Sequence, residues 1–246
     1  MTKLRLVCAA AALAAMGSGT ALADTSANVG IMSDYIFRGV YQTGATAFAG
    51  IDVEGETGMY VGAWGTNVHD GLEYDLYLGY RGGGEMFTWN AGVTGYYYTD
   101  EFDDTYQELN AGFSYGFLTI DYALGDYKNG NALYRDEAQT YQYVGVTFTP
   151  ETGPYYFVGR TDYKNIDTDL MPGRWPGTGK NGYWFEIGKS FEIMEDLEIS
   201  IAALYSGDVP QGLSTTTSSI QLGPSSASDS EYALVVKLTK TIAIGE

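Results

Sequence analysis

Hydrophobic and polar residues alternate along almost the whole chain, and helical periodicity is nearly absent. Between residues 72 and 80, one parity consists of Leu72, Tyr74, Leu76, Leu78 and Tyr80. The other parity of that segment contains acidic residues, a tyrosine and a glycine. The same division recurs at 109–115, 118–124, 197–205 and 232–239. A period of two is typical of β-strands whose two faces meet different surroundings, so the pattern predicts an all-β protein.

Twelve segments show this alternation, at residues 28–38, 45–55, 58–67, 71–82, 85–98, 105–116, 117–126, 138–149, 154–164, 182–192, 196–206 and 230–243. Short connections alternate with long polar ones, of which 165–181 and 207–229 are the longest. An even strand number with short turns at one end and long loops at the other is typical of outer-membrane proteins. The sequence therefore predicts a transmembrane up-and-down antiparallel β-barrel of 12 strands, with both termini on the periplasmic side.

The apolar parity carries no charge in the segments 72–80, 109–115, 118–124, 197–205 and 232–239, and tyrosines lie towards several of its ends. The opposite parity is rich in glycine and carboxylates. A soluble antiparallel sheet with one exposed face also alternates in this way, so that architecture is the alternative. We favour the membrane barrel, because closure removes the unpaired strand edges that a lipid environment does not tolerate.

The first residues predict a secretory signal peptide rather than a part of the fold. Lys3 and Arg5 precede an apolar run at 6–16, and 21–23 fits a small-x-small cleavage site. The run is too short to cross a bilayer as a helix. We predict that 1–23 is cleaved and that 24–246 forms a single outer-membrane barrel domain.

Composition narrows the classes of partner. The chain carries a formal net charge of −18, and loss of the two basic residues of the signal peptide makes it more negative. An acidic protein is a poor partner for nucleic acid. The 22 tyrosines, 10 phenylalanines and 4 tryptophans argue against disorder. We expect location in the bacterial outer membrane, with lipid and the barrel assembly machinery as partners and no nucleic acid.

Two short motifs carry a resemblance to a known family. Residues 33–43 read Ser-Asp-Tyr-Ile-Phe-Arg-Gly-Val-Tyr-Gln-Thr, and residues 58–67 read Gly-Met-Tyr-Val-Gly-Ala-Trp-Gly-Thr-Asn. The pair resembles the TorF-type porin family, although Tyr41 and Thr66 replace serines of the family pattern. The resemblance implies an outer-membrane barrel that passes small solutes. It implies no particular substrate.

If the polar parity lines the lumen, its charged residues form the candidate site. The predicted lumen-lining set is Asp34, Arg38, Asp52, Glu54, Glu73, Asp75, Arg81, Glu108, Asp121, Arg160, Glu186, Glu198 and Lys237. Acids outnumber bases in this set, and acidic rings favour cations in a pore. We predict passive diffusion of small hydrophilic solutes or ions with a cation preference. The alternative is a closed structural or binding barrel, whose lumen charges pair with each other and whose loops contact lipid or other partners.

The sequence offers little support for a catalytic site or a metal site. His69 lies in a predicted loop, and no Gly-x-Ser-x-Gly pattern or other serine motif accompanies it, so we predict no catalytic residues and no enzyme activity. The acidic segment 100–104 lacks the glycine and the closing glutamate of an EF-hand loop. Binding of Ca²⁺ or Mg²⁺ is the alternative for this segment, but we favour a solvated acidic loop and predict no metal site and no cofactor.

Overall fold

A computed structural model describes residues 24–100, 105–128, 139–164, 182–207 and 230–244. Its fourteen strands are β1 Asp24–Met32, β2 Tyr35–Phe37, β3 Val40–Thr43, β4 Thr46–Glu54, β5 Met59–Val68, β6 Gly71–Gly83, β7 Phe87–Tyr98, β8 Thr105–Tyr115, β9 Leu118–Lys128, β10 Gln139–Phe148, β11 Tyr155–Lys164, β12 Gly182–Met194, β13 Leu197–Gly207 and β14 Ser230–Ile244. Within these ranges, no helix is long and apolar enough to cross a membrane.

Twelve of the strands close into a barrel, and β2 and β3 form a separate two-stranded sheet. Strand β1 closes the wall, because it pairs antiparallel with β14 on one side and with β4 on the other. Each remaining pair in the wall joins two strands that are consecutive in the chain, from β4 to β14, and all of these pairs are antiparallel. The structure thus confirms the predicted up-and-down antiparallel barrel of 12 strands.

The first predicted segment, 28–38, is wrong in its second half. The wall strand β1 ends at Met32, which pairs directly with Thr46 of β4. The residues between them therefore have no place in the wall, and 35–43 folds into the β2–β3 hairpin instead. Tyr35 and Phe37, which a wall strand with Asp34 and Arg38 in the lumen would direct towards lipid, lie inside the barrel as a result. The other eleven segments agree with wall strands to within a few residues.

The two ends of the barrel differ in their connections. At one end, here called the short-turn end, the connections are 55–58, 84–86, 116–117, 149–154 and 195–196. At the other, the long-loop end, they are 33–45, 69–70, 99–104, 129–138, 165–181 and 208–229. Asp24 and Ile244 both lie at the short-turn end, since β1 begins there and β14 ends there.

The outward face of the wall is apolar. Leu78, Val93 and Leu109 all point away from the lumen and are 42%, 44% and 59% exposed. Aromatic pairs lie near both rims: Tyr74 stacks on Tyr97 at 5.3 Å near the long-loop end. Near the short-turn end the outward aromatic pairs are Tyr80 with Trp89, Phe87 with Phe113, and Phe117 with Phe148. Two aromatic bands around an apolar belt are what a bilayer with two interfaces requires.

Aromatic rings lie over glycines on the inward face. A Cβ added to Gly125 would come within 2.0 Å of the Tyr141 ring, and one added to Gly159 within 2.5 Å of the Trp184 ring. Each glycine leaves room for a ring from the adjacent strand to lie against the backbone. This packing explains why the inward parity is rich in glycine.

We expect a positive charge in the middle of the apolar belt to destabilise the barrel. Leu78→Arg should lower the free energy of unfolding by about 2–4 kcal/mol, because it places a guanidinium in the hydrocarbon region. Unfolding by urea of protein folded into lipid vesicles measures the change. Met86→Arg is the matched control, since Met86 is 63% exposed in a short turn outside the wall strands. Equal stability of the two variants would contradict an apolar belt in contact with lipid.

Candidate functional site

The β2–β3 hairpin enters the lumen from the long-loop end of β1. Its turn consists of Arg38 and Gly39, which connect the paired residues Phe37 and Val40. Both turn residues have positive φ, 49° for Arg38 and 80° for Gly39. Two successive positive φ values are characteristic of the tight two-residue turns that fit the twist of a β-hairpin. For an arginine this conformation is uncommon, so contacts of its side chain must hold it there.

The Arg38 side chain forms a bidentate ion pair with Glu108 of β8. Arg38 Nη1 donates to Glu108 Oε1, and Nη2 donates to Oε2 at 2.9 Å. The Glu108 side chain is completely buried, and that of Arg38 is 13% exposed. A two-point guanidinium–carboxylate contact fixes orientation as well as charge, so it holds the tip of the hairpin at one place on the wall.

The same carboxylate accepts three further hydrogen bonds from the wall. Tyr141 Oη donates to Oε1 at 2.6 Å, while Tyr96 Oη and Asn110 Nδ2 donate to Oε2 at 3.1 and 2.8 Å. Glu108 is therefore the centre of a buried polar network that joins β7, β8 and β10 to the hairpin.

The rest of the hairpin contacts other sides of the lumen. Tyr35 donates its hydroxyl to Glu73 Oε1 of β6 at 2.7 Å. Phe37 lies 5.4 Å from the ring of Tyr96, between ring centroids. On the far side, Ser206 Oγ of β13 donates to the carbonyl oxygen of Gly39 at 2.8 Å. The hairpin thus crosses the lumen and is bonded to the wall on several sides.

Carboxylate oxygens without partners lie around the hairpin. Within the described part of the chain, Asp34 Oδ1, Glu73 Oε2 and Asp75 Oδ1 are buried and accept no hydrogen bond. The three residues are 3%, 1% and 8% exposed. A buried carboxylate is costly unless it is paired or neutral, so each of these groups is stabilised either by a nearby cation or by a bound proton.

Nearer the short-turn end, the charged side chains of the lumen are less buried than those around the hairpin. Asp52 accepts hydrogen bonds from Tyr77 at 2.5 Å and from Asn28 at 3.4 Å. Glu186 accepts one from Tyr155. These tyrosines hold the carboxylates along the wall without neutralising them.

The two other inward basic residues lie at different heights: Arg81 lies near the short-turn end, whereas Lys237 pairs with Met32, where β1 ends and the connection to the hairpin begins. Arg81 lies 3.4 Å from Glu54 and over the ring of Tyr60 at 4.7 Å. Lys237 lies 5.2 Å from the ring centroid of Phe48. The lumen below the hairpin therefore carries a mixed but mainly acidic lining.

The structure places all but one of the predicted charged residues on the inward side. The inward residues are Asp34, Arg38, Asp52, Glu54, Glu73, Asp75, Arg81, Glu108, Asp121, Glu186, Glu198 and Lys237. The hairpin network unites Arg38, Glu73 and Glu108, whereas Asp52, Asp121, Glu186 and Glu198 lie elsewhere on the wall.

Arg160 is the exception, and its assignment to the lumen is wrong. In the wall register Arg160 is opposite the outward residue Val144, and its Nε donates to Asp162 at 2.8 Å. The neighbouring Gly159 faces inward, because the Trp184 ring covers it. Aromatic residues lie on both parities of β11, so alternation alone did not reveal which face is which.

The aromatic part of the site was not predicted from the alternation of the sequence. Four wall residues outside the predicted set contact the hairpin, namely Tyr96, Tyr141, Tyr143 and Ser206. One usable signal was the Arg38-Gly39 pair, since glycine after a large residue inside an apparent strand marks a turn or bulge.

The weaker sequence candidates stay outside this site. His69 lies in the short connection between β5 and β6 and is exposed. Of the acidic segment 100–104, only Asp100 is among the described residues. Within the described residues, no group of three or more histidine, cysteine or acidic side chains is arranged to hold a metal ion.

Comparisons with known proteins agree with the barrel. A family model described as a bacterial protein of unknown function (Gcw_chp) matches residues 16–205. No curated protein matches the sequence. Among solved structures, the NanC porin aligns with a TM-score of 0.52 at 11% identity, over 88% of this chain and 98% of NanC. The outer membrane protein OprD from Pseudomonas aeruginosa aligns with a TM-score of 0.45 at 12% identity, over 92% of this chain and 66% of OprD. The likeness to NanC shows that the chain has the fold of an outer-membrane porin.

We expect Gly39→Ala to loosen the hairpin. A Cβ at this position would lie 3.0 Å from both Ser206 Oγ and Trp184 Cβ, on a backbone with φ of 80°. We expect the strained backbone and the close contacts to destabilise the docked hairpin by about 1–2 kcal/mol, which should raise the population of undocked hairpin five- to thirtyfold. Trypsin cleavage after Arg38 in the folded protein measures that population. Gly44→Ala is the control, because Gly44 lies in the same connection without a positive φ; equal cleavage of both variants would contradict the tight docking.

Proposed function

The chain belongs to the Gcw_chp family of bacterial proteins, and we propose that it is an outer-membrane channel of the porin type. It allows small hydrophilic solutes to diffuse passively, prefers cations, and is constricted by the β2–β3 hairpin. The observation that carries this proposal is the inverted distribution of polarity: the wall is apolar outside and charged inside. A protein with that distribution needs lipid around it and water within it. The resemblance of residues 33–43 and 58–67 to the TorF-type porins supports the same function.

Location and orientation follow from the same proposal. The outer membrane is the bilayer that porin barrels span, and the short-turn end with both termini faces the periplasm. The hairpin then lies near the extracellular mouth. Removal of the signal peptide before Asp24 and insertion by the barrel assembly machinery belong to this proposal, as does the absence of enzyme activity.

The cation preference rests on the balance of inward charges. Nine acidic residues of the predicted set face inward, against Arg38, Arg81 and Lys237. The outward position of Arg160 removes a base from the lumen and makes it more negative. Arg38 is already neutralised by Glu108, so it offers little to a passing anion. Acidic linings in a low-dielectric wall attract cations and repel anions.

A second candidate function has a specific observation in its favour. The hairpin is bonded to β6, β8 and β13 and crosses the lumen. If no solute passes it, the protein is a closed barrel that presents its long loops to lipid or to other partners. The two candidates differ in whether the hairpin narrows the passage or seals it.

Single-channel recording in planar bilayers separates these candidates. We expect the full-length protein to give a small steady conductance step. A variant in which an Asn-Gly turn replaces residues 33–45 should give a larger step, because Met32 and Thr46 are already paired and the wall remains closed. Silence from the full-length protein with conduction by the variant would identify the closed barrel. Silence from both folded proteins would contradict a channel.

We expect the preference for cations to depend on inward carboxylates. Asp121→Asn should lower the cation-to-anion permeability ratio two- to fivefold, which corresponds to the loss of roughly 0.4–1 kcal/mol of electrostatic attraction in a water-filled lumen. The reversal potential across a salt gradient measures this ratio. Asp162→Asn is the control, since it removes the same charge from the outward face beside Arg160. An anion-selective full-length protein would contradict the proposed preference.

A further inference from the structure

The surroundings of the Arg38 guanidinium come mainly from the barrel wall. Glu108 of β8 provides both oxygens of the ion pair. The aromatic rings of Tyr143 and Tyr141, both on β10, lie 4.2 and 6.0 Å from Arg38 Cζ. Phe37 at 4.9 Å is the one ring of this set that the hairpin itself contributes. Most of the groups that bind the guanidinium are therefore present whether or not the hairpin is docked.

These groups match the chemistry of a guanidinium ion specifically. A guanidinium offers parallel N–H donors that fit the two oxygens of one carboxylate, which an ammonium group does not. Its planar, weakly hydrated surface also stacks on aromatic faces. Glu108 supplies the carboxylate that accepts both N–H donors, and the Tyr143 ring, 4.2 Å from Arg38 Cζ, supplies the aromatic face. The wall thus recognises both the charge and the shape of the group.

The wall also holds Glu108 in its binding orientation. Tyr141, Tyr96 and Asn110 each donate a hydrogen bond to this carboxylate, and all three are wall residues. None of these three bonds involves Arg38, so they hold the carboxylate independently of the guanidinium. Removal of the guanidinium from the docked hairpin would leave this carboxylate without a cation, in a region where Asp75 already has a buried oxygen without a partner. A fixed, buried and uncompensated carboxylate is a strong acceptor for a cation from solution.

Arg38 fills this position from an unfavourable backbone. Its φ of 49° is a conformation that arginine rarely adopts, whereas a free ligand carries no such constraint. The contacts with the wall must therefore outweigh the cost of the turn. The arrangement is that of a tethered group occupying a site that a diffusing molecule of the same chemistry also fits.

We propose that β7, β8 and β10 form a preorganised binding site for a guanidinium group, which Arg38 occupies when the hairpin is docked. Solutes that carry a guanidinium are the class that competes with Arg38 for Glu108 and the face of Tyr143. That such solutes travel through the lumen rests on the proposed channel function. The binding site itself rests on the geometry alone, so the two are tested separately.

Ligand-dependent stability of an emptied site tests the proposal without any need for conductance. Arg38→Asn removes the guanidinium, and asparagine tolerates the positive φ of the turn. In detergent-folded protein, millimolar methylguanidinium should raise the unfolding midpoint of this variant by roughly 2–4 °C, since a ligand of the folded state alone stabilises it. Methylammonium carries the same charge but lacks the parallel N–H donors, so at the same concentration it should not raise the unfolding midpoint.

Three further proteins make the result specific. The full-length protein with Arg38 in place should not respond to methylguanidinium, because its site is filled. Arg38→Asn with Glu108→Gln should also lose the response. Arg38→Asn with Glu186→Gln should keep it, because that lumen carboxylate lies outside the site and bonds to Tyr155. An equal response of all proteins, or an equal response to both cations, would overturn the proposal.

Two additional measurements keep the outcome decisive. If Arg38→Asn fails to fold, its refolding yield is compared in the two salts; rescue by methylguanidinium supports the site, and equal yields overturn it. If Arg38→Asn conducts, methylguanidinium should reduce its current and leave that of the Arg38→Asn, Glu108→Gln variant unchanged. A barrel that binds methylguanidinium but never conducts would contradict the channel function and leave the guanidinium site standing.

Discussion

Closure of the wall is the constraint on which the rest of the structure depends. An open sheet would leave backbone N–H and C=O groups of two edge strands without partners, and lipid offers none. Strand β1 prevents this by pairing with both β4 and β14. Once every strand has two neighbours, alternation divides each strand between an apolar exterior and an enclosed interior. All of the charged residues predicted for the lumen except Arg160 then lie in this interior, and the lumen chemistry follows from that division.

The enclosed interior explains why the hairpin network is so polar. Glu108 binds four side chains, and Arg38 is held by a carboxylate and several rings. Each of these contacts compensates for burial that would otherwise be unfavourable, because the side chains around the hairpin are withdrawn from solvent. The network is therefore both the attachment of the hairpin and the reason that charged residues are tolerated there. The carboxylate oxygens of Asp34 and Asp75 that lack hydrogen-bond partners show that this compensation is incomplete.

Sequence alternation predicted the wall well, because a strand with lipid on one side and lumen on the other has little freedom in its pattern. Leu76 and Leu78 face outward as expected, and the strand number is confirmed. Alternation could not detect the hairpin, because Tyr35 and Phe37 alternate with their neighbours as a wall strand does. What separates them from the wall is register: Met32 pairs with Thr46, and no local pattern encodes that pairing. Arg160 was misplaced for a related reason, since aromatic residues on both faces of β11 conceal its orientation.

Docking of the hairpin also depends on strands that come much later in the chain. It lies close to the beginning of the barrel sequence, yet the Gly39 carbonyl bonds to Ser206, which is 167 residues further along. Contacts so distant in sequence form late, after the loop between them has been closed. Residues 35–43 therefore have no complete docking surface until β12 and β13 have joined the wall. The hairpin is therefore synthesised early but docks late. Until it docks, it does not cross the lumen, and the lumen stays open to water while the barrel is unfinished.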